Sequence, residues 1–144
     1  TPQIAHRFEV KPGAIGSALI DDAYNSNPQG FASALAALDI LVEPGGKRVL
    51  TTPGMVELGP AHDDEHRRLG EIAAAHVDVL LAIAPERIES FVAAFDKHKS
   101  ESAETHRFRE FSEANDWISD NAASGDAVLL ENDLPDLYER RLQI

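Results

Sequence analysis

The stretch LIDDAYNSNP at residues 19–28 joins the end of an apolar run to a dense group of polar side chains and a proline. Leu19 and Ile20 are typical of a buried strand, and Pro28 falls near the first turn of an Ala-rich segment, where a helix accepts proline. The polar residues are therefore predicted to lie on a strand-to-helix loop. In an open α/β sheet such loops line the ligand crevice. Because Asp and Asn are also ordinary turn and cap residues, a purely structural role stays open.

Alternating strand and helix patterns continue along the whole chain and predict a layered α/β fold. Strands are predicted at residues 6–10, 18–20, 47–52, 77–83, 106–108 and 127–130, and helices at 31–42, 62–76, 86–99, 111–122 and 136–142. This order implies a mostly parallel, doubly wound sheet with right-handed crossovers and flanking helices. A chain of 144 residues has the length of one domain, so we expect a single domain over residues 1–144.

The composition argues against several classes of function. A formal net charge of −12 disfavours binding to nucleic acid or to an anionic membrane surface. No apolar run approaches the roughly 20 residues that span a bilayer, and the residues from Thr1 onward lack the basic and apolar regions of a signal peptide, so we expect a cytoplasmic location. The absence of cysteine agrees with a reducing compartment. Because the chain begins at Thr1 without a methionine, we expect a domain excised from a longer protein.

Two short motifs imitate known chemical sites. The segment HDDEH at residues 62–66 matches the H-x-x-E-H pattern of one class of zinc peptidases, with its histidines one helical turn apart. No third ligand stands at a recognisable spacing, and acidic residues are favoured in the first turn of a helix, so we predict no metal site. Gly45-Gly46-Lys47 lacks the spacing of a phosphate-binding loop and precedes a strand. The chain by itself is therefore predicted to hold no complete catalytic site.

The sequence resembles the C-terminal domain of the Mur ligases. The resemblance rests on IDDAYNSNP at 20–28, the Ala/Leu-rich helix after it, GMVELG at 54–59 and HRRLG at 66–70. It is strongest to the branch that adds D-alanyl-D-alanine. It implies a three-layer, Rossmann-like third domain of an ATP-dependent amide-bond ligase of peptidoglycan precursor synthesis. In such an enzyme this domain closes over the N-terminal and central domains, which hold a UDP-muramoyl-peptide-type substrate and most of the ATP and Mg²⁺ sites.

The resemblance also implies roles for individual residues. Asp22 is expected to accept hydrogen bonds from the ribose hydroxyls of ATP, as an ionised carboxylate can. The loop with Met55 and Glu57 is expected near the reacting groups when the domains close. The residues expected to shape the nucleotide side of the cleft are Tyr24, Asn25 and Asn27.

The chain departs from the family's pattern after the last predicted strand. Where the D-alanyl-D-alanine branch usually has Lys-Gly-Ser-Arg, this chain has Glu131, Asn132, Asp133 and Leu134. Acids thus replace basic groups that could pair with the carboxylate of an incoming peptide. We expect this acceptor loop to disfavour a free carboxylate there, which indicates a divergent branch that acts on a different amine.

A second departure precedes the GMVELG motif, where the family's Gly-Asp appears as Pro53-Gly54. Two other interpretations also stay open at this point. One is a related amide ligase similar to the folylpolyglutamate, cyanophycin or lipid II-amidating enzymes. The other is a non-catalytic, acidic α/β interaction module.

Overall fold

The computed structural model describes residues 8–12, 18–23, 28–55 and 58–132, which form a six-stranded sheet with helices on both faces. The strands are β1 (Phe8–Pro12), β2 (Ala18–Ala23), β3 (Arg48–Thr52), β4 (Val79–Ile83), β5 (Glu104–Phe108) and β6 (Ala127–Asn132). The α-helices are α1 (Pro28–Leu41), α2 (His62–Ala74), α3 (Glu89–His98) and α4 (Phe111–Asn121), with short 3₁₀ helices at Gly59–Ala61 and Pro85–Arg87. The predicted layered α/β fold is confirmed.

The strand order β1-β2-β6-β3-β4-β5 explains which face each helix covers. β1 is antiparallel to β2, and the other neighbouring strands are parallel. The chain steps outward from β2 through β3 and β4 to β5, and then returns to insert β6 between β2 and β3. Because parallel crossovers share one hand, the helices of the outward steps and the helix of the return step must lie on opposite faces.

The two core clusters follow this rule. Phe31, Leu69 and Phe91 of α1, α2 and α3 belong to the cluster on one face of the sheet. Phe111 of α4 belongs to the cluster on the other face, together with Val128 of β6. Both faces are therefore covered, which is why the central strands read as nearly continuous apolar runs.

β2 and β6 both extend past their predicted carboxyl ends, at the edge of the sheet where the predicted site residues stand. β2 continues through Asp21 and Asp22, so these residues lie in a strand and the prediction that they belong to a strand-to-helix loop is wrong. β6 continues past Leu130 to Asn132. The reason is that the two strands pair in register up to their ends, with Asp22 opposite Glu131, so backbone hydrogen bonds extend each strand whatever its side chains.

Smaller shifts affect other elements. The strands predicted at 6–10, 77–83 and 106–108 are β1, β4 and β5, and the helix predicted at 62–76 ends at Ala74. The helix predicted at 86–99 is a 3₁₀ helix followed by α3. The helix predicted at 136–142 lies outside the described residues.

Charged groups at the amino ends of the strands pair with one another. The Nε of Arg48 lies 3.0 Å from Oδ2 of Asp78, and its Nη1 lies 2.6 Å from Oδ1 of Asp39. Asp126 is buried and accepts a hydrogen bond from the backbone N–H of Lys47 at 2.7 Å. Burial raises the pKa of Asp126, but the hydrogen bonds that it accepts outweigh burial and leave the pKa below its usual range. These pairs tie β3 to the segments beside it.

Gly70 lies at the contact between α2 and α3, which leads to a test of their packing. A Cβ at Gly70 would overlap the carbonyl oxygen of Phe91 and lie 3.1 Å from the Cβ of Ala94. We expect Gly70→Ala to lower the free energy of unfolding by about 1 to 3 kcal/mol, because the added methyl forces packed helices apart. Urea denaturation measures this change.

The control is Glu71→Ala at the next, exposed position, which we expect to change the free energy of unfolding by less than about 0.5 kcal/mol. A Gly70→Ala variant as stable as the parent would contradict the close approach of the two helices.

Candidate functional site

The carboxyl ends of β2, β6 and β3 lie side by side at one edge of the sheet. An open α/β sheet binds ligands in the crevice outside these ends, at the point where the winding of the chain reverses. The return of the chain from β5 to β6 creates such a point here. In the sequence, every predicted site residue stands at the end of one of these three strands or shortly after it, so this edge is the candidate site.

Asp22 is the penultimate residue of β2, in register with Phe8 of β1 and Glu131 of β6. Its position at the carboxyl edge agrees with the role predicted for it, and that role stays a prediction. The predicted site residues that lie outside the described part of the chain are Tyr24, Asn25, Asn27, Glu57 and Asp133.

Glu131 and Asn132 are the last two residues of β6, so the prediction that they follow the final strand is wrong. Pairing with β2 holds both positions in the ladder, with Ala23 opposite Asn132. The side chain of Glu131 is fully buried. A fully buried carboxylate does not line an open crevice, so Glu131 can influence an acceptor only through its charge. The acceptor roles predicted for Glu131, Asn132 and Asp133 stay predictions.

A closed ring of hydrogen bonds holds the loop that follows β3; we call it the loop clamp and define it as Pro53, Met55, His62, His66 and Arg87. The backbone N–H of Met55 donates to Nε2 of His66 at 3.0 Å, and Nδ1 of His66 donates to the carbonyl of His62 at 2.8 Å. Nε2 of His62 donates to the carbonyl of Arg87 at 2.9 Å. Nη1 of Arg87 closes the ring with a long contact of 3.4 Å to the carbonyl of Pro53.

His66 is neutral in this arrangement. A carbonyl can only accept, so Nδ1 carries the hydrogen and Nε2 is left as the acceptor for Met55. The His66 side chain is fully buried beside the ring of Phe91. Burial lowers the pKa of His66 below its ordinary value, although the hydrogen bond to His62 raises it. One neutral tautomer therefore satisfies both ring nitrogens.

Gly54 lets the loop approach α2 closely. Its φ of +84° lies in the left-handed region, and a Cβ there would overlap the side chain of Ile88 and lie 2.8 Å from Nε2 of His66. Its N–H donates to the hydroxyl of Thr52 at 2.9 Å. The Met55 side chain is fully buried in the same core cluster as Leu69, so it supports the loop from the inside. The role predicted for Met55 near a reacting group stays a prediction.

The HDDEH segment has a structural role, because its two histidines belong to the loop clamp. Both ring nitrogens of His66 are engaged by backbone groups. The acids of the segment extend along the first turn of α2, where Asp64 pairs with Arg67 at 2.7 Å and Glu65 with Arg68 at 2.9 Å. Within residues 8–12, 18–23, 28–55 and 58–132, no group of three or more His, Cys, Asp or Glu side chains could hold a metal ion.

Sequence reasoning missed the loop clamp although it noticed the spacing of His62 and His66. The partners of the two side chains are backbone groups of residues 55, 62 and 87, which leave no trace in the residue types. The only available indication was the pair of histidines one turn apart, close in sequence to a glycine-containing loop.

Comparison with known proteins identifies the family. Residues 6–131 match the model of the Mur ligase, glutamate ligase domain. The chain belongs to this family. Among the described helices, none is long and apolar enough to cross a membrane.

This Mur ligase domain is similar in sequence to two curated ligases. It is 39% identical over 69 residues to UDP-N-acetylmuramoyl-tripeptide--D-alanyl-D-alanine ligase of Escherichia coli strain K12, which covers 47% of this chain and 15% of that protein. The Bacillus subtilis strain 168 protein of the same name is 26% identical over 134 residues, which covers 87% of this chain and 27% of the relative. The domain thus spans about a quarter or less of these relatives.

The fold also matches a solved structure. The crystal structure of MurF ligase from Thermotoga maritima, a complex with ADP, superposes with a TM-score of 0.72 at 22% identity. The match covers 96% of this chain and 29% of that one. It supports the α/β architecture that the strand order and the two core clusters define.

Gly54 leads to a test of the close approach between the loop and α2. We expect Gly54→Ala to lower the free energy of unfolding by about 2 to 3 kcal/mol. The variant would combine two costs, the backbone strain of a positive φ and the steric overlap with Ile88. Thermal or urea unfolding of the variant measures the loss.

Gly45 provides a matched control, since it has the same φ of +84° but a Cβ added there would have no atom within 4 Å. We expect Gly45→Ala to cost about 1 kcal/mol, from backbone strain alone. Equal losses in the two variants would mean that the loop does not press against Ile88 and His66.

Proposed function

We propose that this domain is the C-terminal part of an ATP-dependent amide-bond ligase of peptidoglycan precursor synthesis, of the branch that adds D-alanyl-D-alanine. The observation that carries the proposal is that the insertion of β6 brings the carboxyl ends of β2 and β3, the strands that precede the two family motifs in sequence or contain their first residues, to one edge of the sheet. The family match and the names of the relatives support it.

The proposed reaction joins a carboxylate to an amine in two steps. The terminal carboxylate of a UDP-muramoyl tripeptide attacks the γ-phosphorus of ATP, which forms an acyl phosphate and releases ADP. The free amine of D-alanyl-D-alanine then attacks the acyl carbon, the amide bond forms, and phosphate leaves. The N-terminal and central domains of the full-length protein would hold the muramoyl substrate, the ATP phosphates and Mg²⁺.

The chemistry of this edge fits the ribose end of a nucleotide better than its phosphates. Asp22 lies at the carboxyl end of β2, and an ionised carboxylate accepts hydrogen bonds from vicinal hydroxyls while it repels phosphate oxygens. The chain also lacks the G-x-x-x-x-G-K-[ST] spacing of a phosphate-binding loop. We therefore assign to this domain the closing of the nucleotide site and part of the acceptor site.

The relatives favour D-alanyl-D-alanine as the acceptor over the alternatives. Both curated relatives carry that substrate in their names, whereas the other amide ligases considered above take different amines. Burial of Glu131 argues against its direct contact with an acceptor, and so weakens the case for a different acceptor that rested on Glu131 and Asp133. The match to a catalytic family argues against a non-catalytic interaction module.

The proposal is tested by measuring ADP release from the full-length protein. We expect ADP to form only when ATP, the UDP-muramoyl tripeptide and D-alanyl-D-alanine are all present, with one new amide bond for each ADP. Single omissions of each substrate are the controls. ADP release that ignores the dipeptide, with no amide product, would overturn the proposal.

Asp22 gives a prediction about the nucleotide. In the full-length enzyme we expect Asp22→Ala to raise the KM for ATP about tenfold or more, because hydrogen bonds to a charged group are worth about 1.5 to 3 kcal/mol. Steady-state kinetics at saturating muramoyl substrate and dipeptide measure the effect. Asp21→Ala, at the neighbouring position of the same strand, is the matched control and should leave that KM within about twofold. Equal effects at both positions would show that Asp22 is not the specific ribose partner.

Asp133 gives a prediction about the acceptor. If it faces the carboxylate of the dipeptide, Asp133→Asn should raise kcat/KM for D-alanyl-D-alanine by about fivefold to tenfold, since like charges in a partly desolvated cleft cost about 1 to 4 kcal/mol. The C-terminal amide of the dipeptide is the control substrate, and its kcat/KM should not change. A similar gain with both substrates would mean that Asp133 acts on something other than acceptor charge.

A further inference from the structure

The loop clamp joins three parts of the chain that are distant in sequence. It connects Pro53–Met55 after β3, the first two turns of α2, and the 3₁₀ helix Pro85–Arg87 after β4. All three lie at the carboxyl edge of the sheet, where the candidate site is. The conformation of the loop therefore depends on a few side-chain hydrogen bonds in addition to the ladder of β3.

We propose that His66 is a positioning residue, whose neutral imidazole fixes the backbone of Pro53–Met55 beside the site and whose protonation releases that backbone. The effect on catalysis rests on the proposed function, while the effect on the loop does not. His66 acts through Met55 and Gly54 and is not assigned a contact with any substrate.

His66 is the link of the ring that protonation breaks. When the imidazole is charged, both ring nitrogens carry hydrogen, so Nε2 and the N–H of Met55 become two donors that face each other at 3.0 Å. The titratable and charged groups near it are His62 and Asp63 on α2 and Arg87 on the 3₁₀ helix, while α3 presents the apolar ring of Phe91. Burial, His62 and Arg87 oppose the charged imidazole, whereas Asp63 and the hydrogen bond to the carbonyl of His62 favour it.

The sign of the pH effect follows from these contacts. Because the pKa of His66 is lower in the folded chain than its ordinary value of 6.5, the folded state binds fewer protons than the unfolded state between the two values. The stability that the clamp contributes is fully present above pH 6.5 and is lost as the pH falls through the lower, folded value. Release of the loop is therefore expected on the acid side of neutrality.

Two substitutions separate hydrogen bonding from packing. In His66→Gln, the amide oxygen reaches about as far from the backbone as Nε2 does, so it can accept from Met55 and cannot titrate. In His66→Phe, the ring shape is kept and the acceptor is lost. The control is His98→Gln, at a partly exposed histidine on α3 that lies 3.6 Å from Glu71 and outside the clamp.

The first readout is nuclear magnetic resonance of the uniformly ¹⁵N-labelled 144-residue chain, which reports both the histidine ring nitrogens and the Met55 amide. We expect the His66 signals of the tautomer with hydrogen on Nδ1 at pH 7.5, and a shift of the Met55 amide signal as His66 protonates on acidification. The Met55 shift should not titrate in this way in His66→Gln. Hydrogen on Nε2 of His66 at pH 7.5, or a Met55 amide that titrates equally in His66→Gln, would overturn the proposal.

The second readout is the pH profile of the full-length ligase. We expect His66→Phe to lower kcat about tenfold or more with the KM for ATP within about twofold, because displacement of a site by about 1 Å can cost a hundredfold in rate. His66→Gln should keep kcat within about threefold of the parent and lose its decline at acid pH, and His98→Gln should match the parent.

The outcomes distinguish this inference from the proposed function. An active parent whose kcat and pH profile are unchanged in His66→Phe would overturn the positioning role and leave the proposed function intact. A parent without ligase activity would overturn the proposed function, and the magnetic resonance result would still decide whether His66 holds the loop.

Discussion

Parallel pairing of β6 with two neighbours is the constraint that organises the rest of this structure. In the ladder, Leu129 lies opposite Ile20 of β2 on one side and opposite Leu50 of β3 on the other. To reach that place the chain must return from β5 across the sheet, and the shared hand of parallel crossovers then puts α4 on the face opposite α1, α2 and α3. The same insertion brings three carboxyl ends together and so creates the candidate site.

Charged side chains have different roles at the amino and carboxyl ends of the strands. At the amino edge, Arg48 is bonded to Asp78 and Asp39, and its pKa is raised, above all by the hydrogen bond to Asp78. Arg48 thus forms ion pairs with both aspartates, and the opposite charges compensate one another locally. At the carboxyl edge, the imidazole of His66 is kept neutral and its hydrogen bonds go to the backbone. Charge at the amino edge thus serves the fold, and the neutral clamp at the carboxyl edge shapes a loop beside the site.

Local patterns were enough to predict the element types and the fold class. The spacing of Phe31, Leu35 and Leu38 in α1 has the period of a helix, and β4 is an unbroken apolar run, so each segment indicated its own structure. The ends of β2 and β6 could not be predicted in this way. Asp22 and Glu131 are poor strand formers, and they are held in strands by pairing with each other's backbone, which no local pattern shows. The place of β6 in the sheet likewise depends on pairing with strands that are distant in sequence. For a similar reason the candidate site was predicted only in part: the residues after β2 and β3 stood out by their chemistry, whereas the partner of His66 is a backbone N–H, a group that every residue except proline possesses.

Ligands of the full-length protein are expected to bind at the carboxyl edge formed by β2, β6 and β3. Hydrogen–deuterium exchange of that protein, with and without a non-hydrolysable ATP analogue, Mg²⁺ and the UDP-muramoyl tripeptide, measures where they bind. We predict slower exchange in peptides that cover residues 18–28 and 53–58, and unchanged exchange in the amino-edge turn at 43–47. Protection of the amino-edge turn, with no change at the carboxyl ends of β2 and β3, would contradict this assignment.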